Sequence, residues 1–170
     1  VIVRNDVTTV GGNFKCFLSY QHSAQIPNTD LSVVWVPNGG SWKDLTKYFP
    51  LQHFKENFGV RVCTRDLTGS NTFYRSFARF SPFEQLVSCQ ASGYSYNIAS
   101  FVGMCGAPVV AQKIAPMIVG IHVAGIVDQN VGFAPCVAQS DLEYALEVLS
   151  ERPSVLLAHS IGTMPSCVYG

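Results

Sequence analysis

An all-β domain is the fold class this sequence predicts, and three observations predict it. Short runs of branched and aromatic residues recur along the chain, as in Phe14–Tyr20, Leu31–Val36 and Val60–Thr64. Gly, Pro and Asn punctuate them, in Pro37-Asn38-Gly39-Gly40, Gly69-Ser70-Asn71 and Asp128-Gln129-Asn130. A clean helical period occurs in one stretch, close to the C-terminal end. Many short strands separated by such turns suggest a sandwich or a barrel.

The composition agrees. Of 170 residues, 48% are hydrophobic and 13% charged, so the chain can bury a substantial core and is not intrinsically disordered. The length holds one compact domain or two small barrels. Eleven Lys and Arg balance eleven Asp and Glu, a net charge of zero, which argues against a protein held to nucleic acid mainly by charge.

In order along the chain, Val1–Val10 carries Arg4, Asn5 and Asp6 and is no secretory signal. Phe14–Tyr20 and Leu31–Val36 read as strands, and Ser41–Tyr48 admits a helical turn. Val60–Thr64 alternates as Val-Arg-Val-Cys-Thr, the period of a half-buried strand. Leu86–Ala91, Ala107–Ala111, Met117–Val123 and Val131–Val137 continue the series. The most apolar stretch, Ile114–Val127, is too short to span a bilayer and contains His122. Ser140 and Glu143 form a capping box, Leu142, Ala145, Leu146 and Leu149 share one helical face, and Pro153 stops the helix. Ser154–Gly170 has no period and reads as a tail or linker.

Six cysteines, at 16, 63, 89, 105, 136 and 167, form no C-x-x-C, which excludes a zinc ribbon or thioredoxin motif. Most read as small buried hydrophobes in a reducing compartment. Cys105 stands apart, in Gly103-Met104-Cys105-Gly106-Ala107-Pro108. Flanking glycines let a backbone turn sharply and let another molecule approach, and the amides of such a turn can converge on an oxyanion. A buried Cys in a Gly turn is the other reading. His122 follows 17 residues later, in Gly120-Ile121-His122-Val123-Ala124-Gly125. By itself it is a core or edge histidine; with the Cys turn it completes the compound pattern G-x-C-G-x-P followed by G-x-H-x-A-G.

This pattern resembles the chymotrypsin-like cysteine proteases of picornaviruses and picorna-like viruses, the 3C-like type, with dicistrovirus-like wording in Cys-Gly-Ala-Pro and Gly-Ile-His-Val-Ala-Gly. The similarity runs from about Val1 to Leu149 and is strongest over Tyr96–Ala138. It implies a chymotrypsin-like double β-barrel with one C-terminal helix, and no cofactor or metal. Residues 1–54 would be a partial N-terminal barrel carrying the acidic triad member, 55–150 the second barrel with nucleophile and S1 pocket, and 151–170 a tail. Cys105 matches the nucleophile, and Gly103, Met104 and Cys105 the oxyanion-hole turn. Asp30, 75 residues before Cys105, matches the acid that orients the catalytic histidine; a strand-start turn also explains it. His122 matches the histidine that reads Gln or Glu at P1. Tyr96 matches the residue that fixes its tautomer, and Ser100 a hydroxyl touching the P1 side chain. Gly120, Ile121, Val123, Ala124 and Gly125 match a strand edge that pairs with substrate.

The resemblance places the catalytic histidine before the acid, at or before Val1. His22 is only eight residues upstream of Asp30, His53 breaks the family order, and His159 lies in the tail. The expectation is therefore an N-terminally truncated viral polyprotein-processing endopeptidase. It would cleave after Gln or Glu before a small residue, act in the host cytoplasm, and be inactive alone. No Gln follows Gln139, so the tail would run toward a downstream polymerase. Trp42-Lys43-Asp44-Leu45 falls where picornaviral proteases carry a basic motif implicated in binding viral RNA, although a solvated turn serves equally. The alternatives are a non-catalytic β-barrel that binds peptides, or an RNA-binding module using Lys43, Lys47 and Lys55.

Overall fold

The computed structural model describes residues 2–4, 7–10, 14–17, 20–35, 43–66, 68–85 and 90–152. Twelve strands and one helix lie among them. Two compact units are distinguished, one of Val1–Ile26, Leu31–Asp44 and Asp141–Gly170, the other of Pro27–Asp30 and Leu45–Ser140.

In the first unit, β1 (Ile2–Arg4), β2 (Val7–Val10) and β3 (Phe14–Phe17) form an antiparallel meander. The strand expected over Phe14–Tyr20 ends at Phe17, and Tyr20–His22 forms a single 3₁₀ turn. β4 (Ser23–Gln25) pairs with β5 (Ser32–Val34). Their connection is the turn containing Asp30, in which Asn28 takes a φ of 56°, a left-handed conformation that Asn tolerates better than most residues.

The second unit is a seven-stranded antiparallel sheet in the order β10-β9-β6-β7-β8-β12-β11. Its strands are β6 (Phe58–Arg65), β7 (Asn71–Gln85), β8 (Gln90–Tyr96), β9 (Pro108–Ala111), β10 (Met117–Ile121), β11 (Ala124–Ile126) and β12 (Val131–Pro135). The sheet curls until β10 meets β12. Gly120 bridges Cys136, and the Val137 amide donates to Val119 O at 3.0 Å. Closure removes the edges of six strands and leaves β11 as an open one.

Alternation decides what fills this barrel. Phe58, Val60 and Val62 of β6 point inward with Val109 and Ala111 of β9, all buried. Each buried Val or Phe side chain among them contributes about 1.5–3 kcal/mol. Tyr94 is buried too, but its hydroxyl is satisfied: it donates to Phe54 O and accepts from Phe54 N–H, both at 3.0 Å. This clip ties the segment entering the barrel to its core.

Two expectations need correction. The strand read over Leu86–Ala91 is β8, Gln90–Tyr96; residues 86–89 lie outside the described set. The helix α1 runs over Gln139–Ser150, so Ser140 is inside it rather than its cap. Gln139 anchors the start instead, its amide donating to Pro50 O and its side-chain Nε2 to Phe49 O, both at 2.8 Å. Of the face expected, Ala145 and Leu149 are buried, while Leu146 is exposed. Near Ser41–Tyr48 the structure has one 3₁₀ turn, Thr46–Tyr48. Ser41, Trp42 and everything after Arg152, including Pro153 and His159, lie outside the described residues, while Lys43 is exposed.

Candidate active site

The connection from β8 to β9 holds Cys105. Met104 is 1% exposed and belongs to the hydrophobic core, so it pins the middle of the turn and presents its neighbours to solvent. Gly103 and Gly106 take φ of 97° and 93°, and nothing lies within 4 Å of a Cβ built on either. Glycine is needed there for its backbone, and the space above it is open.

The amides of this turn fall into two sets. Met104 N–H donates to Phe101 O, Ala107 N–H to Met104 O, and Gly106 N–H to His122 O. Those of Gly103 and Cys105 have no partner among the described residues. A turn that spends its intervening amides on itself and leaves these two unspent offers two donors beside one thiol. That is the arrangement that stabilises an oxyanion formed by attack of the sulfur. The Cys105 Sγ is exposed, 3.3 Å from Val123 O. Cys136 is buried and Cys63 half-buried, as small hydrophobes would be. Burial raises the Cys63 pKa, and of Cys63, Cys105 and Cys136 it is Cys105 that is exposed.

His122 connects β10 to β11. Its backbone locks it to the nucleophile turn: its amide donates to Ala107 O at 2.9 Å while its carbonyl accepts from Gly106. The side chain is 1% exposed. Nδ1 lies 2.6 Å from the Tyr96 hydroxyl. Burial lowers the His122 pKa, and burial, with the nearby Cys105, raises that of Tyr96. Both shifts select neutral groups. A protonated phenol can donate across this contact, in which case Nδ1 accepts and the ring proton rests on Nε2.

Two close approaches shape the space around this imidazole. A Cβ on Gly132 would lie 2.5 Å from Tyr96 Cε2 and 3.2 Å from His122 Cε1. A Cβ on Gly125 would collide with Ser100 Oγ. That Ser100 oxygen is buried and has no partner among the described residues.

The remaining expected residues separate. Gly120 and Ile121 pair with Val109 and Pro108 of β9, and Gly120 also bridges Cys136, so these two are inside the ladder. Val123 N–H donates to Phe133 O. Ala124 and Gly125 sit on the open edge of β11, which pairs only with β12. Asp30 is exposed in its turn. His22 stands against Trp35, ring centroids 5.6 Å apart. His53 lines a groove with Phe54, Lys113 and Ile114 that does not include the Cys105 turn. Among the described residues no imidazole is hydrogen-bonded to Cys105 Sγ.

The closed antiparallel barrel, carrying an exposed thiol on a turn with two unspent amides, is of chymotrypsin-like β fold. The comparisons agree. Residues 83–152 match the Tungro spherical virus-type peptidase family. The genome polyproteins of Salivirus A and Human klassevirus 1 are each 26% identical over 144 residues, 84% of this chain and 6% of theirs. The chain therefore spans a small part of the curated relatives it matches. Catalytically active tobacco etch virus protease, complexed with product, is similar in fold, with TM-score 0.54 and 18% identity over 77% of this chain and 55% of that one. More particularly, these matches support a picorna-like, 3C-like protease.

Proposed function

We propose that this protein is a cysteine-type endopeptidase domain that processes a viral polyprotein after Gln, or Glu, and before a small residue. The observation that carries the reading is the Tyr96–His122 pair at 2.6 Å, buried behind the Cys105 turn. A neutral imidazole with its proton on Nε2 is a donor, and a Gln carboxamide oxygen at P1 accepts from it. Ser100 Oγ supplies a second polar contact. A P1 side chain without an acceptor leaves buried donors unpaired, which gives strong selectivity. The substrate backbone adds to the open edge of β11 at Ala124 and Gly125. Cys105 Sγ attacks the P1 carbonyl carbon, the oxyanion sits against the amides of Gly103 and Cys105, and the amine leaves as the acyl-enzyme forms. Water then releases the acid.

The base and its acid are part of the same proposal. Asp30 would orient a catalytic histidine that is not bonded to Cys105 among the described residues, so the chain alone turns over slowly. Action in the host cytoplasm, beside a downstream polymerase domain, is what the resemblance to picorna-like proteases implies. RNA binding has little support from a net charge of zero.

A Gln-terminated peptide vinyl ester offered at alkaline pH tests the reading. Mass mapping should show the adduct on Cys105, much less with Leu at P1, and none with Cys105→Ala. Label on Cys63, or label indifferent to P1, overturns it. Hydrolysis of a Gln-Gly peptide by the chain alone should be slow; rapid hydrolysis would contradict the statement on the base.

A further inference from the structure

We propose that the outer face of the second barrel binds a phosphate-type oxyanion, in the hollow between the Arg61–Arg75 pair and Lys113. The inference is independent of the peptidase reading. Inward residues of β6 alternate with outward ones, so Arg61 points away from the core between Val60 and Val62. The register places Arg75 of β7 directly opposite it and Val110 of β9 on its other side. Like charges directly opposite one another across antiparallel strands are destabilising. No carboxylate among the described residues is bonded to either guanidinium.

Arg61 is also incompletely satisfied. Its Nε is buried without a hydrogen-bond partner, and the guanidinium lies over the Phe73 ring, 5.4 Å from the centroid. A buried donor with no acceptor calls for an unseen water or ion. The hollow beside it, about 300 Å³, is bounded by Arg61, Arg75, Gln112, Lys113 and Pro116. Three cationic side chains and an amide side chain thus line one hollow. Lys113 is shared: its Nζ pairs with Glu56 Oε1 and sits 4.1 Å from the centre of the Phe54 ring. A single tetrahedral oxyanion held by the cationic side chains that line the hollow neutralises the repulsion between the two arginines. The planar guanidinium fork suits such an anion better than a spherical halide.

The test is titration of the full chain with inorganic phosphate, followed by the Nε–H resonances of arginine, with sodium chloride at matched ionic strength as reference. The Arg61 Nε–H signal should move with a saturable dependence on phosphate and not with chloride. Arg75→Gln, at an exposed position, should weaken binding by about tenfold while leaving vinyl-ester labelling of Cys105 unchanged. Adenosine 5′-monophosphate identifies the source. Equal affinity means a free oxyanion suffices, and tighter binding of the nucleotide means the phosphate arrives on a larger ligand. If neither moves the Arg61 signal beyond the chloride reference, or if Arg75→Gln leaves phosphate binding intact, the proposal is overturned.

Discussion

Two polar groups buried in the same barrel are treated in opposite ways. Inside the fold, His122 Nδ1 receives the Tyr96 hydroxyl at 2.6 Å. On the outer face, Arg61 Nε–H has no acceptor among the described residues, and Ser100 Oγ likewise has no partner there. The satisfied group is one whose orientation must be settled before a substrate arrives. The unsatisfied ones are acceptor-poor or donor-poor points that a ligand would complete. The contrast is between a buried polar group held by a side-chain hydrogen bond and buried polar groups without one among the described residues.

The sharpest way to break this comparison is Tyr96→Phe. The substitution leaves Nδ1 buried and unpaired at a cost of about 1–3 kcal/mol, and it frees the ring to take either tautomer. Discrimination between Gln and Leu at P1 in the labelling assay should fall by about tenfold or more, as the same free energy implies. Unchanged discrimination would show that Tyr96 packs against His122 without orienting it. Because the neighbouring Gly132 leaves no slack at Tyr96, the Phe ring should keep its place, and the urea midpoint reports the stability term separately.

Acid and alkali probe the same contrast more gently. Burial lowers the pKa of His122 and of His22 below the ordinary 6.5. Below that value the unfolded chain binds protons that the folded one refuses. Stability from these groups is therefore complete above about pH 6.5 and is lost as the pH falls toward their folded values. Tyr94 and Tyr96 are raised above 10.0, and Cys63 above 9.0, all by burial first. There the unfolded chain releases protons that the folded one keeps, so stability declines above about pH 9. Urea midpoints measured across pH should form a plateau between these limits. A midpoint that rises on acidification from pH 7 to 6 would contradict the buried, neutral state of His122.

Much of the candidate site's local structure was legible in the sequence because it is built from residues close in the chain. The glycines around Cys105 and the His122 segment lie close in the chain, and each announces its turn or strand. The helix was legible through its repeat, though not its first residue, because Gln139 anchors it through Phe49 and Pro50, some ninety positions away. β7 escaped notice for a physical reason. Phe73 and Phe77 face solvent, at 54% and 78% exposure, so its apolar residues mark the wrong face. The positions of Gly120 and Ile121 inside the ladder and the Arg61–Arg75 opposition depend on strand register, which pairs residues distant in sequence. The Tyr96–His122 bond spans 26 positions and was available only through resemblance.

The smallest expected effect concerns Glu56, the carboxylate that shares Lys113 with the outer hollow. The pair is exposed, with side chains 35% and 66% accessible, so Glu56→Gln should shift folding stability by no more than about 1 kcal/mol. Lys113 keeps its position through the Phe54 ring, 4.1 Å from its Nζ. The same change removes a negative charge that competes for that ammonium. Phosphate affinity should therefore rise severalfold while stability hardly moves, and the gain should fade in high salt as screening weakens both interactions. Equal phosphate affinity in the variant and the parent would remove Lys113 from the hollow and leave the arginine pair as its only cationic wall.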